Sequence, residues 1–146
     1  MNIGQQDDVM VYTRVLPAAR EVVFRCMLDP EHLTHFWGPA GMSTPVEGIK
    51  VDPRPGGVFE TLMVADSGGG SYTMRAVFDE IDEPERISWT EVDSGMRSVT
   101  TFVDLGDGQT EVTIEQHNAP AQYREPEARA GFATSLEKFS SYLLSL

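Results

Sequence analysis

The stretch DPEHLTHFWGPAGMSTPVEGIKVDPRPGGVF, residues 29–59, sets an aromatic-tipped helix directly before a hairpin punctuated by proline and glycine. Asp29 has the side chain of an N-cap, and Pro30 suits the first helical position, where its missing N–H costs nothing. Gly38 can supply a left-handed cap and Pro39 cannot continue a helix, so a helix from Pro30 to about Phe36 holds Phe36 and Trp37 at its tip. Large rings placed there either plug a core or roof a cavity. Further breakers at Gly41 and Pro45 leave the backbone around Trp37 with little regular hydrogen bonding, which predicts a lid that opens cheaply.

On either side of this stretch the hydrophobic period changes. Val9 to Leu16 is rich in β-branched and apolar residues and is closed by Pro17, the pattern of a strand. Ala18 to Leu28 places Val23 with Met27 and Phe24 with Leu28 at helical spacing, which predicts an amphipathic helix. From Met42 to His117 the period is two. Strands are predicted over Met42–Val51, Val58–Val64, Tyr72–Ile81, Arg86–Val92, Arg97–Leu105 and Gln109–His117. Asp52 to Gly57 forces the first turn, Gly68 to Gly70 forms a hairpin tip, and Gly106-Asp107-Gly108 is a strong hairpin signal. With the first strand these make seven, read as one antiparallel meander. The helical period returns from about Glu125 to Leu144, where Phe132, Leu136, Phe139 and Leu143 form one stripe. The expected class is α+β: a curved antiparallel sheet that buries one face against a long carboxy-terminal helix, with two short helices after the first strand.

A chain of 146 residues suits one domain, with residues 1–8 expected to be a loose tail. The formal charge of −12 argues against nucleic acid or an anionic membrane as partner. No apolar run approaches the ~20 residues of a spanning helix, and MNIGQQDDVM has no signal-peptide character, so a cytoplasmic location is expected. Cys26 is the single cysteine; it excludes an internal disulfide, and its apolar helical setting predicts an inert, buried thiol.

The runs LPAAREVVFRCMLDPEHLTHFWGP, VDPRPGGVFETLM, GSYTMR followed by FDEIDEPERISW, GQTEVTIEQ and GFATSLEKFSSYL, taken in this order, resemble the activator of heat-shock protein 90 ATPase family. That family lies within the START-related, birch-pollen-allergen-like (SRPBCC) superfamily, and the resemblance runs from Val9 to Leu144. It implies a helix-grip fold in which the sheet wraps the last helix around a hydrophobic cavity. Two positions depart from the family pattern: Arg75-Ala76 stands where Arg-Gly is common, and Gly131-Phe132 where Gly-Trp is common. The family has no shared catalytic signature, so function must be argued from the site.

Strand alternation divides the sheet residues into two faces, and by apolarity Phe59, Thr61 and Met63 on one strand, Tyr72, Met74, Ala76 and Phe78 on the next, and Ile87, Trp89 and Glu91 on a third should all point inward. A bulge near Asp79-Glu80 would bring Ile81 inward as well. The candidate ligand-binding residues are therefore Phe36, Trp37, Phe59, Met63, Tyr72, Met74, Trp89 and Phe132, around a small hydrophobic or amphipathic ligand. Glu91 is the one carboxylate on its apolar face. Buried, it could act as a general acid or base; at a strand end before Asp93-Ser94-Gly95 it would be solvated and idle, and this is the expectation. His32 and His35 have a spacing a metal could use, but no second cluster supplies further ligands, so neither a metal nor another cofactor is expected. The leading expectation is a non-catalytic ligand-binding protein, monomeric or homodimeric. Its rivals are a co-chaperone-like interaction module with a chaperone partner and a role in stress response, and a polyketide cyclase or aromatase-like enzyme.

Overall fold

The computed structural model describes residues 9–146; the expected tail, residues 1–8, lies outside them. Eight strands form one antiparallel sheet: β1 Met10–Leu16, β2 Met42–Ser43, β3 Lys50–Val51, β4 Val58–Ala65, β5 Ser71–Asp82, β6 Arg86–Glu91, β7 Arg97–Gly106 and β8 Gln109–His117. The order across the sheet is β1-β8-β7-β6-β5-β4-β2, with β3 also on β4. Consecutive strands from β4 to β8 are neighbours, and β1 closes the far edge against β8, with Tyr12 opposite Ile114. Two short helices, α1 Arg20–Cys26 and α2 Pro30–Leu33, follow β1, and α3 Pro126–Ser145 ends the chain. This is the α+β helix-grip arrangement, with the long helix lying in the curved sheet.

One expected strand is two. Met42–Val51 breaks after Ser43, because Pro45 has no N–H for a ladder, and Val46–Gly48 forms a single 3-10 turn instead. The Gly48 N–H donates to Pro45 O at 2.9 Å, and pairing resumes only at Lys50. Gly57 then has to be glycine: a Cβ there would sit 2.0 Å from the Asp52 carbonyl oxygen. A bulge between Phe78 and Glu80 shifts the register of β5 against β6, as the alternation required.

α2 is capped by Asp29, whose carboxylate accepts from the Glu31 N–H at 3.0 Å. Regular helix stops at Leu33, shorter than the expected end at Phe36, and the chain continues as turns. The Phe36 and Trp37 N–H groups still bond the Leu33 carbonyl, at 3.1 and 2.9 Å. Phe36 is thereby carried under α3, where its ring stacks on Phe139 with centroids 3.8 Å apart and planes 3° apart. The core runs from α1 through the concave sheet face to α3: Val23, Phe24, Phe78, Ile87, Leu136 and Leu143 are all buried in it.

Candidate functional site

A cavity of about 380 Å³ lies between the concave face of the sheet and α3. Its walls are mostly apolar. Seven of the eight candidate ligand-binding residues, Phe36, Trp37, Met63, Tyr72, Met74, Trp89 and Phe132, border it. Phe59 does not, which corrects that assignment. It is buried one layer behind, edge-on to Trp37 at 5.2 Å and to Trp89 at 5.6 Å, and it stacks on Phe78 at 5.4 Å. The reason is depth: Phe59 faces inward on β4, but the two indoles lie between it and the open volume.

Trp37 is a fixed wall, not the expected lid. Its N–H is bonded to Leu33, its carbonyl accepts the Thr44 hydroxyl at 2.6 Å, and its indole Nε1 donates to Thr61 Oγ1 at 3.2 Å. The next residue, Gly38, has φ +97°, and a Cβ there would crowd Met63 Sδ at 3.2 Å and Thr44 Oγ1 at 3.3 Å. Lys138 of α3 fastens the same loop, donating to the Gly38 and Met42 carbonyls at 3.1 and 3.3 Å. Burial lowers the Lys138 pKa, with Asp66 opposing the shift.

The polar end of the cavity is built around Glu91. It is the last residue of β6 and yet only 4% exposed, so the expectation of a solvated carboxylate is overturned. The turn after it folds back on itself. The Glu91 N–H donates to Met96 O at 2.8 Å, the Gly95 N–H donates to Glu91 O at 2.9 Å, and the Ser94 hydroxyl donates to the carboxylate. From the other side come two phenols. Tyr123, in the 3-10 turn Ala121–Arg124, lies 3.2 Å from both carboxylate oxygens, and Tyr72 lies 3.2 Å from Oε2. The two phenol oxygens are 2.7 Å apart. Burial drives the Tyr123 pKa far above the ordinary phenol range, reinforced by the hydrogen bond to Tyr72 and by the Glu91 charge. Burial also raises Tyr72, although its bond to Tyr123 opposes the shift. Both phenols therefore stay protonated and able to donate at neutral pH.

Gln116 is a further polar group facing the cavity. It is 6% exposed, and its side-chain amide has no hydrogen-bond partner among the described residues. Alternation along β8 could have found it, since Thr110, Val112, Ile114 and Gln116 share the buried face. Tyr12 of β1, whose ring lies 4.3 Å from Phe132, follows from the same rule. Tyr123 and Ser94 carry no such signal, because both sit in irregular segments whose paths only the folded chain defines.

The remaining candidates fall outside the cavity chemistry. His32 Nδ1 lies 2.5 Å from the Tyr142 hydroxyl, and His35 stacks on the same ring at 4.7 Å. Among the described residues no group of three or more His, Cys, Asp or Glu side chains could hold a metal. Cys26 is buried, and desolvation pushes its thiol up to about 11, away from the reactive thiolate.

Residues 17–144 match the sequence family described as Activator of Hsp90 ATPase homolog 1-like protein. The chain belongs to this family, and through it to the SRPBCC superfamily. Among curated proteins none matches. Among solved structures, protein CV1439 from Chromobacterium violaceum is 26% identical with a TM-score of 0.80, the similarity covering 91% of this chain and 95% of that one. Protein NE0264 from Nitrosomonas europaea is 25% identical with a TM-score of 0.82, covering 94% of each chain. An AHSA1-like protein from Aeromonas hydrophila, at 22% identity and a TM-score of 0.77 over 93% of each chain, shows the shared fold alone. Fold and family together support a ligand-binding or interaction module. No helix among the described residues is long and apolar enough to cross a membrane.

Proposed function

We propose that this protein, acting as one domain in the cytoplasm, holds a small hydrophobic or amphipathic molecule in the cavity beneath α3 without transforming it. The observation that carries this reading is an apolar volume of about 380 Å³ that ends in a hydrogen-bonded polar group. A packed core has few voids larger than a water molecule, so a space of this size is not a packing defect. It falls in the lower part of the ~300–1,000 Å³ typical of ligand pockets, which favours a one- or two-ring compound over a sterol. A saturating ligand should raise the melting temperature. At a hundredfold excess over Kd the gain is about 2.7 kcal/mol, or roughly 5–10 °C for a domain of this size. A thermal-shift screen of indoles, phenols, terpenoids and short alkyl compounds tests this. No stabiliser anywhere in such a panel would favour an interaction module whose partner is a chaperone.

One observation favours a second reading, an enzyme of the polyketide cyclase or aromatase type. Glu91 is buried at the cavity with two phenol hydroxyls in reach, as a general acid or base would be. Mass spectrometry of a bound compound before and after incubation separates the two: an unchanged mass supports carriage, and a product dependent on Glu91 supports catalysis.

A further inference from the structure

We infer that the cavity selects a hydrophobic molecule bearing one protonated amine, which docks its nitrogen on Glu91. This rests on the cavity-binding reading above and adds the charge of the ligand. The described residues bordering the cavity include two carboxylates, Glu91 inside and Glu127 at the start of α3, and no lysine, arginine or histidine. Among the described residues no cation lies within ion-pair distance of Glu91; its partners are hydroxyls of Tyr72, Ser94 and Tyr123. A carboxylate taken out of water is costly unless it is paired as well as hydrogen-bonded, and among the described residues this one has no countercharge.

A second, independent feature points the same way. Gln116, 6% exposed as a residue, borders the cavity, and its amide carbonyl oxygen can accept an ammonium N–H. Trp89, Tyr72 and Tyr123 border the same cavity, where an aromatic ring attracts an organic cation more than a neutral alcohol. A ligand with its own carboxylate would meet like charge and no cationic side chain. Fatty acids are thereby disfavoured, even though the apolar walls would accept their chains.

Three compounds with the same indole body test this by isothermal titration calorimetry: tryptamine, tryptophol and indolepropionate, cationic, neutral and anionic at pH 7. Tryptamine should bind at least roughly tenfold more tightly than tryptophol, the difference a charge-assisted hydrogen bond supplies over a neutral one, and indolepropionate should bind weakest. Glu91→Gln should collapse the amine-to-alcohol ratio. Glu47→Gln removes one exposed surface charge and should keep it, which separates the site from the overall negative charge. The wild-type ratio decides the matter even where Glu91→Gln is too unstable to titrate. Tryptophol binding as tightly as tryptamine, or indolepropionate binding best, overturns the amine assignment while the cavity reading stands. An equal loss of preference in Glu47→Gln overturns it too. Binding of none of the three overturns the amine assignment, and the wider thermal-shift panel then decides the cavity reading.

Discussion

A chain ended after Gln122 should have no cooperative thermal transition. The truncation removes α3, and with it the buried Leu136, Phe139 and Leu143. At ~1.5–3 kcal/mol for each large apolar side chain buried, the loss is roughly 5–9 kcal/mol before the uncovered sheet face is counted. That already equals much of the ~5–15 kcal/mol by which a domain of this kind is stable. Phe36 loses its stacking partner at the same time, and Tyr123 is gone from Glu91. Calorimetry should give a broad or absent transition, with strong binding of a dye that reports exposed apolar surface. A sharp transition in the truncated protein would show that the sheet stands without the helix and would contradict the packing described above.

Trp37→Ala should lower stability by about 3 kcal/mol, at the low end for a large aromatic because the ring is only partly buried. For a domain of this size that is a fall of roughly 6–12 °C in melting temperature. The contributions are specific: the edge contact with Phe59, the indole bond to Thr61, and the wall of the cavity itself. Trp37→Phe isolates one of them, since it keeps most of the packing and leaves the fully buried Thr61 hydroxyl without its donor, at about 1 kcal/mol. A change in melting temperature within error for Trp37→Ala would restore the mobile lid and remove the fixed wall.

The regular elements were legible because periodicity encodes them. Alternation placed Trp89 and Met74 inward, the stripe from Phe132 to Leu143 marked α3, and even the bulge beside Asp79 followed from the need to bring Ile81 inward. Met42–Val51 misled because its composition is strand-like, while the decisive fact is a missing N–H at Pro45 followed by Gly48. Depth was not legible either: alternation tells which face Phe59 occupies, not that Trp37 and Trp89 stand in front of it. The polar end of the cavity was the least visible part. Glu91, Ser94, Tyr72 and Tyr123 come from a strand end, a turn, a second strand and a loop 32 residues beyond Glu91, and only tertiary packing brings their oxygens together. The solvation expected for a strand end failed for the same reason, since Tyr123 folds over from a segment with no pattern of its own.

The methionines report on the cavity itself. Met27, Met63, Met74 and Met96 border the cavity, whereas Met10 and Met42 do not. With the methionine methyl groups labelled by carbon-13, titration with tryptophol, which carries no charge, should shift the four cavity signals along one saturating curve and leave Met10 and Met42 in place. Cavity signals that do not move, or shifts that grow linearly without saturation, would contradict ligand binding beneath the carboxy-terminal helix.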